Sequence, residues 1–170
     1  MLKWLWLSAA MVLLDQLTKG LANTLLQPYQ PVPLFPFFNL TLMYNEGAAF
    51  SFLGEAGGWQ RWFFTALAIG ISVAIVFWLR RLVPAQRVEA AGLSLVLGGA
   101  VGNVIDRLLH GHVIDFLDFY YNAGSCLPLF VKVGGECHWP AFNIADSAIT
   151  MGVILLLFDS LRRYGSDKAP

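Results

Sequence analysis

The side chains able to do chemistry in this chain stand inside apolar runs. Asp15 and Lys19 interrupt the first run. Asn103, Asp106 and Arg107 lie in the third, with Asp115 just beyond it, and Asn143, Asp146 and Ser147 open the fourth. A charged group at membrane depth costs roughly 2.5–3.5 kcal/mol on insertion scales, so such groups face the protein interior and mark function. Asp15 and Lys19 are spaced i, i+4 and suit an intrahelical ion pair. Asp106 beside Arg107, with Asn103 one turn back, reads as a second neutralised pair. Asp115 and Asp146 differ, because neither has a Lys or Arg within one helical turn on its own segment. Two such carboxylates at one depth are costly unless they share a proton. A dyad that shares a proton can hydrolyse a bond, one carboxylate activating water while the other holds the proton. An ion or proton relay would use the same acids and is the competing reading. His110 and His112 precede Asp115, and His138 lies beside Cys137. A zinc hydrolase would want three such ligands, but the spacing matches no standard motif, so no metal is expected.

The elements that position these groups follow from composition. The 170 residues are 57% hydrophobic and 13% charged, with a mean hydropathy of +0.61. A soluble domain carries about 25% charged residues, so a polytopic membrane protein is expected and disorder is excluded. Net charge is zero, which implies no nucleic-acid partner. A bilayer core of ~30 Å needs about 20 apolar residues of helix. Four runs meet that length, at about 2–26, 62–79, 90–109 and 142–161. The first has the charge and apolar run of a signal peptide, but Asp15 and Lys19 occupy the place of a small, neutral cleavage region. The fold expected is an all-α, four-transmembrane-helix bundle, a single domain over 1–170, with a small extracytoplasmic β-rich part.

Orientation follows from Lys and Arg in the short loops. Lys3, Arg80, Arg81, Arg87, Arg162, Arg163 and Lys168 fall on one side, which is assigned to the cytoplasm with both termini. The long segments 27–61 and 110–140 are then external. Pro28, Pro31 and Pro33 exclude helix from the start of the first. Residues 37–44 read as one or two short strands, and the aromatics of 35–59 suit the headgroup layer. At 1.5 Å per residue, Asp106 and Arg107 lie roughly 25 Å along the third span. Asp115 lies roughly 37 Å along if the helix continues. Asp146 is about one turn into the fourth span, so Lys19, Asp106, Arg107, Asp115 and Asp146 converge near the outer face. Asp159 falls at the cytoplasmic end, to meet water or Arg162 and Arg163. The small-residue runs at 47–49 and 98–102 suit close helix approach.

Five blocks now spell a family. They are Asp15-Gln-Leu-Thr-Lys19, Tyr44-Asn-Glu-Gly-Ala-Ala-Phe-Ser51, Gly98-Gly-Ala-Val-Gly-Asn-Val-Ile-Asp-Arg107, Val113-Ile-Asp-Phe116 and Phe142-Asn-Ile-Ala-Asp-Ser147. In this order, and spread over nearly the whole chain, they make it resemble the prolipoprotein signal peptidases, or signal peptidase II. The resemblance implies an aspartyl endopeptidase of the bacterial inner membrane that cleaves just before a diacylglyceryl-modified cysteine. It implies Asp115 and Asp146 as the catalytic pair. It implies that Asn45, Asn103, Arg107 and Asn143 shape the site or hold substrate, with Asp15 and Lys19 as the first-span motif. Gly47 and Asp106 fall in the same blocks. Implied partners are lipid-modified prolipoproteins, membrane phospholipids and the inhibitor globomycin, with no cofactor. Uncharged amides such as Asn45, Asn103 and Asn143 suit an extended peptide backbone, and the rest of 35–59 would cover the cleft. One departure is visible. The stretch 123–138 is longer than the family norm and carries Cys126 and Cys137 on the oxidising face, where a disulfide is expected.

Overall fold

The computed structural model describes residues 1–47 and 58–166. A 3-10 turn at Leu2–Trp4 leads into α1 (Leu5–Leu25), and α2 (Trp59–Arg81), α3 (Arg87–Leu109) and α4 (Ile144–Ser166) follow. Between them lie β1 (Pro31–Phe35), β2 (Phe38–Asn45), β3 (Val113–Asn122), β4 (Val131–Val133) and β5 (Glu136–His138). The chain is thus α-helical with one small antiparallel sheet. By length and composition α2, α3 and α4 can each cross a membrane. The first predicted span is also a helix, but its polar insertions Asp15, Gln16 and Lys19 keep α1 out of that class. Residues 48–57, which hold the end of the second motif block and part of the expected cover, lie outside the described residues.

The chain divides into two compact units. One comprises Met1–Asp15, Leu67–Val104 and Ile144–Pro170. Its core is Ile75, Leu79 and Leu82 against Ala90, Leu93 and Leu97. Glycines set the helix spacing here. A Cβ on Gly98 would lie 2.9 Å from the Ser8 carbonyl of α1. One on Gly92 would lie 2.9 Å from the Gly152 carbonyl of α4. One on Gly99 would collide with the Ala145 carbonyl. Buried Glu89 ties this unit together, accepting from Trp78 Nε1 (2.8 Å), Gln86 Nε2 (2.9 Å) and Arg163 Nη2 (2.6 Å). Asp159 is buried beside Arg163, 2.5 Å away.

The other unit comprises Gln16–Ala66 and Ile105–Asn143 and holds the sheet, in the order β1-β2-β3-β5-β4. Pro31 and Pro33 lack N–H donors and sit on edge strand β1, the place where strands tolerate proline. β2 pairs with β3 so that Met43 faces Asp115 and Asn45 faces Val113. The third apolar run ends where expected, and the helix does not continue to Asp115. α3 stops at Leu109, Gly111 takes a left-handed φ of +89°, and Asp115 lies on β3. A glycine just past the last turn ends a helix because it adopts this conformation without a Cβ penalty. Beyond β3, Cys126 and Cys137 are joined by a disulfide, with Cα atoms 5.4 Å apart.

Candidate active site

Strand alternation decides which β3 residues can act. Residues i and i+2 share a face, so Asp115 and Val113 share one, and Asn45 reaches Asp115 diagonally from β2. Its Nδ2 donates to Asp115 Oδ2 at 3.1 Å. The other oxygen is held from the segment before α4. Phe116 and Leu117 donate their N–H groups to the Phe142 carbonyl, and Phe142 N–H donates to the Leu117 carbonyl. That pairing carries Asn143 to Asp115, where Asn143 Nδ2 donates to Oδ1 at 2.7 Å. Asp115 is 2% exposed and Asn143 fully buried, so this carboxylate is oriented from both sides inside the protein.

A second layer fixes the strand beneath it. Asp106 Oδ2 accepts the N–H of Ile114, the neighbour of Asp115, at 3.1 Å. The same carboxylate takes Lys19 Nζ at 2.8 Å and Gln16 Nε2 at 2.9 Å. The sequence sets Asp106 beside Arg107, and the structure brings Lys19 to it as well. Adjacent helical residues point in different directions, and Arg107 Nη2 donates to the Gly47 carbonyl at 3.1 Å. Gly47 N–H in turn donates to Asn45 Oδ1 at 3.0 Å. Arg107 thereby steadies the turn that carries Asn45.

In the helical unit, Asp146 lies in the first turn of α4, and its Oδ1 accepts Asn103 Nδ2 at 2.8 Å. Asp15 is fully buried, and its Oδ1 accepts the N–H of Ala145 at 3.0 Å. An acid at a helix N-terminus satisfies an orphan donor and complements the helix dipole. Gly102 leaves room for it, since a Cβ there would stand 2.5 Å from Asp15 Oδ2. The i, i+4 reading of Asp15 and Lys19 missed these roles: Asp15 caps α4 and Lys19 pairs with Asp106.

The histidines are dispersed. His112 lies against the Tyr44 ring at 4.4 Å, with His110 next to it. Burial first, and the His110 charge second, lower its pKa. His138 Nδ1 bonds Asp118 Oδ1 at 2.8 Å, and Thr41 donates to Asp118 Oδ2 at 2.7 Å. Among the described residues no group of three or more His, Cys, Asp or Glu is placed to hold a metal ion. The sequence reading passed over Gln16, Asp118 and Thr41. Gln16 lies within the first motif block, whereas nothing in local spacing marks the other two.

The profile of the family described as Signal peptidase (SPase) II matches residues 7–162. A lipoprotein signal peptidase of Alteromonas mediterranea is 49% identical over 161 residues, 95% of this chain and 81% of the relative. One of Burkholderia mallei is 53% identical over 160 residues, 94% of this chain and 88% of the relative. Two solved structures described as bacterial membrane enzymes are similar throughout. The first has a TM-score of 0.79 at 30% identity, covering 99% of this chain and 93% of its own. The second has a TM-score of 0.73 at 31% identity, covering 94% and 92%. With its membrane-length helices, its amide-held acids and this match over nearly its whole length, the chain belongs to the signal peptidase II family.

Proposed function

We propose that this membrane peptidase is an aspartic endopeptidase that removes the signal peptide from diacylglyceryl-modified prolipoproteins, cutting just before the lipidated cysteine. The observation that carries the reading is the pair of amides holding both oxygens of Asp115. Asn103 on Asp146 repeats the pattern. Amides orient an acid without supplying a counter-charge, which leaves the carboxylate fit for proton transfer. In the proposed reaction one aspartate takes a proton from water as the water oxygen attacks the scissile carbonyl carbon. The other, protonated, donates to the carbonyl oxygen. The C–N bond then breaks as a proton passes to the leaving nitrogen. The products are a signal peptide with a new carboxylate and a lipidated cysteine with a free amine.

The same reading makes the chain one polytopic domain of the bacterial inner membrane, a bundle of four spans with α1 as the fourth. Burial of Lys19 and Asp15 inside the protein supports a spanning α1 despite its polar residues. Both termini are placed in the cytoplasm by the Lys and Arg asymmetry, with the acids near the outer face. A substrate anchored by its signal helix and acyl chains presents its scissile bond at that level. Globomycin would compete there, and phospholipid would surround the bundle. No observation favours an ion-coupled transporter. The test is release of signal peptide from lipidated and unlipidated precursors across pH. The lipidated form alone should be cut, with a bell-shaped rate reporting two apparent pKa values of the pair and no loss in chelator. Equal cutting of both precursors, or inactivation by a chelator, would overturn the proposal.

A further inference from the structure

The helical unit contains a groove that the proposed reaction does not use. It occupies about 580 Å³ between α1, α2 and α3, and its walls are apolar apart from Ser8, Ser72 and Arg80. Both serine hydroxyls are engaged by backbone carbonyls. Ser8 Oγ donates to the Ser94 carbonyl at 2.8 Å and Ser72 Oγ to the Ala68 carbonyl at 2.7 Å. The interior therefore offers hydrocarbon contact, and its one charge is the Arg80 guanidinium, which lies 5.5 Å over the Phe77 ring. Arg80 is the penultimate residue of α2, and Arg81 and Arg87 are close to it in sequence. Among the described residues no carboxylate is paired with Arg80 or Arg81.

Depth agrees with charge. Ser72 and Arg80 are separated by eight residues of helix, roughly 12 Å. One leaflet of a ~30 Å hydrocarbon core is about 15 Å deep. The groove thus runs along most of one leaflet, with Arg80 at that leaflet's polar boundary.

We propose that the groove binds one acyl chain of an anionic glycerophospholipid, whose phosphate is held by Arg80. Arginine suits a phosphate because its planar fork donates two parallel hydrogen bonds, and a basic cluster at a membrane boundary favours anionic lipid. A signal-peptide helix is the other candidate occupant. It is about 10–12 Å across with its side chains, and its positively charged n-region would meet Arg80 with the wrong sign.

The test is native mass spectrometry of the detergent-purified full chain given equal amounts of phosphatidylglycerol and phosphatidylethanolamine. Wild type should retain phosphatidylglycerol in preference. Arg80→Gln should weaken that retention about tenfold, or ~1.4 kcal/mol, while Arg80→Lys keeps most of it. Val73→Trp, which fills the groove, should reduce retention of both lipids, and unchanged retention in that variant would place the lipid elsewhere. Glycerol 3-phosphate, lacking acyl chains, should not be retained. Equal retention of the two lipids with no effect of Arg80→Gln would overturn the proposal. So would binding of glycerol 3-phosphate alone, or displacement of the lipid by an apolar signal-sequence peptide. Arg80 has an exposed head, so folding of its variants is expected to match wild type, and melting curves check this.

Discussion

Replacing Lys19 by Met tests whether the layer beneath Asp115 is organised by charge. Lys19 and Asp106 are paired at 2.8 Å with side chains 2% and 1% exposed. Removing one member of a buried pair leaves the other uncompensated and costs about 3–5 kcal/mol. Gln16 and the Ile114 N–H still hold Asp106, so the lower end, about 3 kcal/mol, applies. For a chain of this size that is a melting shift of roughly 6–12 °C. Asp106→Asn added to Lys19→Met removes the stranded charge while keeping an oxygen for Ile114. The double variant should therefore recover most of the loss, a coupling that a double-mutant cycle isolates. The assay is thermal unfolding in detergent followed by circular dichroism, with all four proteins side by side. A Lys19→Met protein as stable as wild type would refute the reasoning. So would a double variant whose losses simply add.

Further outcomes follow from single contacts. Cys126→Ser with Cys137→Ser should lose about 3 kcal/mol of constraint on the unfolded chain and loosen the β4–β5 hairpin. Cleavage should survive, because none of the proposed catalytic residues lies in that loop; loss of cleavage in a folded double variant would contradict this. Gly99→Val on α3 should push against Ala145 and Ile149 of α4, force the start of α4 away from α3 and destabilise by roughly 1–3 kcal/mol. It should also lower kcat, since Asp146 follows Ala145; unchanged turnover and melting would oppose this account. His112 lies outside the membrane-length helices, and burial together with His110 lowers its pKa. The unfolded chain then binds the extra proton first, so stability should fall as pH drops from about 6.5 through the lower folded value. His112→Gln should flatten stability in that window, and an unchanged slope would show that another group titrates.

What could be read in advance was periodic or punctuated. The second, third and fourth apolar runs became helices because no proline interrupts them, and their ends fell at Arg81, Leu109 and Ile144. Residues 37–44 were legible as strand because aromatic, Leu and Thr residues cluster there. The site was less so. Asn45 and Asn143 stand out as motif residues, but their convergence on Asp115 depends on β2–β3 register and on the pairing of Leu117 with Phe142. Both are long-range, so local spacing does not encode them. Further partners of the charged groups are long-range for the same reason. Lys19 finds an acid nearly ninety positions away, and Asp15 finds a backbone N–H of α4 rather than a side chain alone. The end of α3 at Leu109 was legible as the end of the third apolar run, whereas the extended run to Asp115 needed the sheet to declare itself.

The central claim is that Asp115 and Asp146 together hydrolyse the prolipoprotein. The most direct measurement is a gel-shift cleavage assay on lipidated precursor, comparing purified wild type with Asp115→Asn and Asp146→Asn. Asparagine keeps the shape of each side chain and one acceptor oxygen, enough for Asn103 at position 146 and for one of the two amides at position 115, so melting curves accompany the assay to confirm that each variant folds. Each substitution should abolish cleavage. Near-wild-type cleavage by either folded variant would contradict the account.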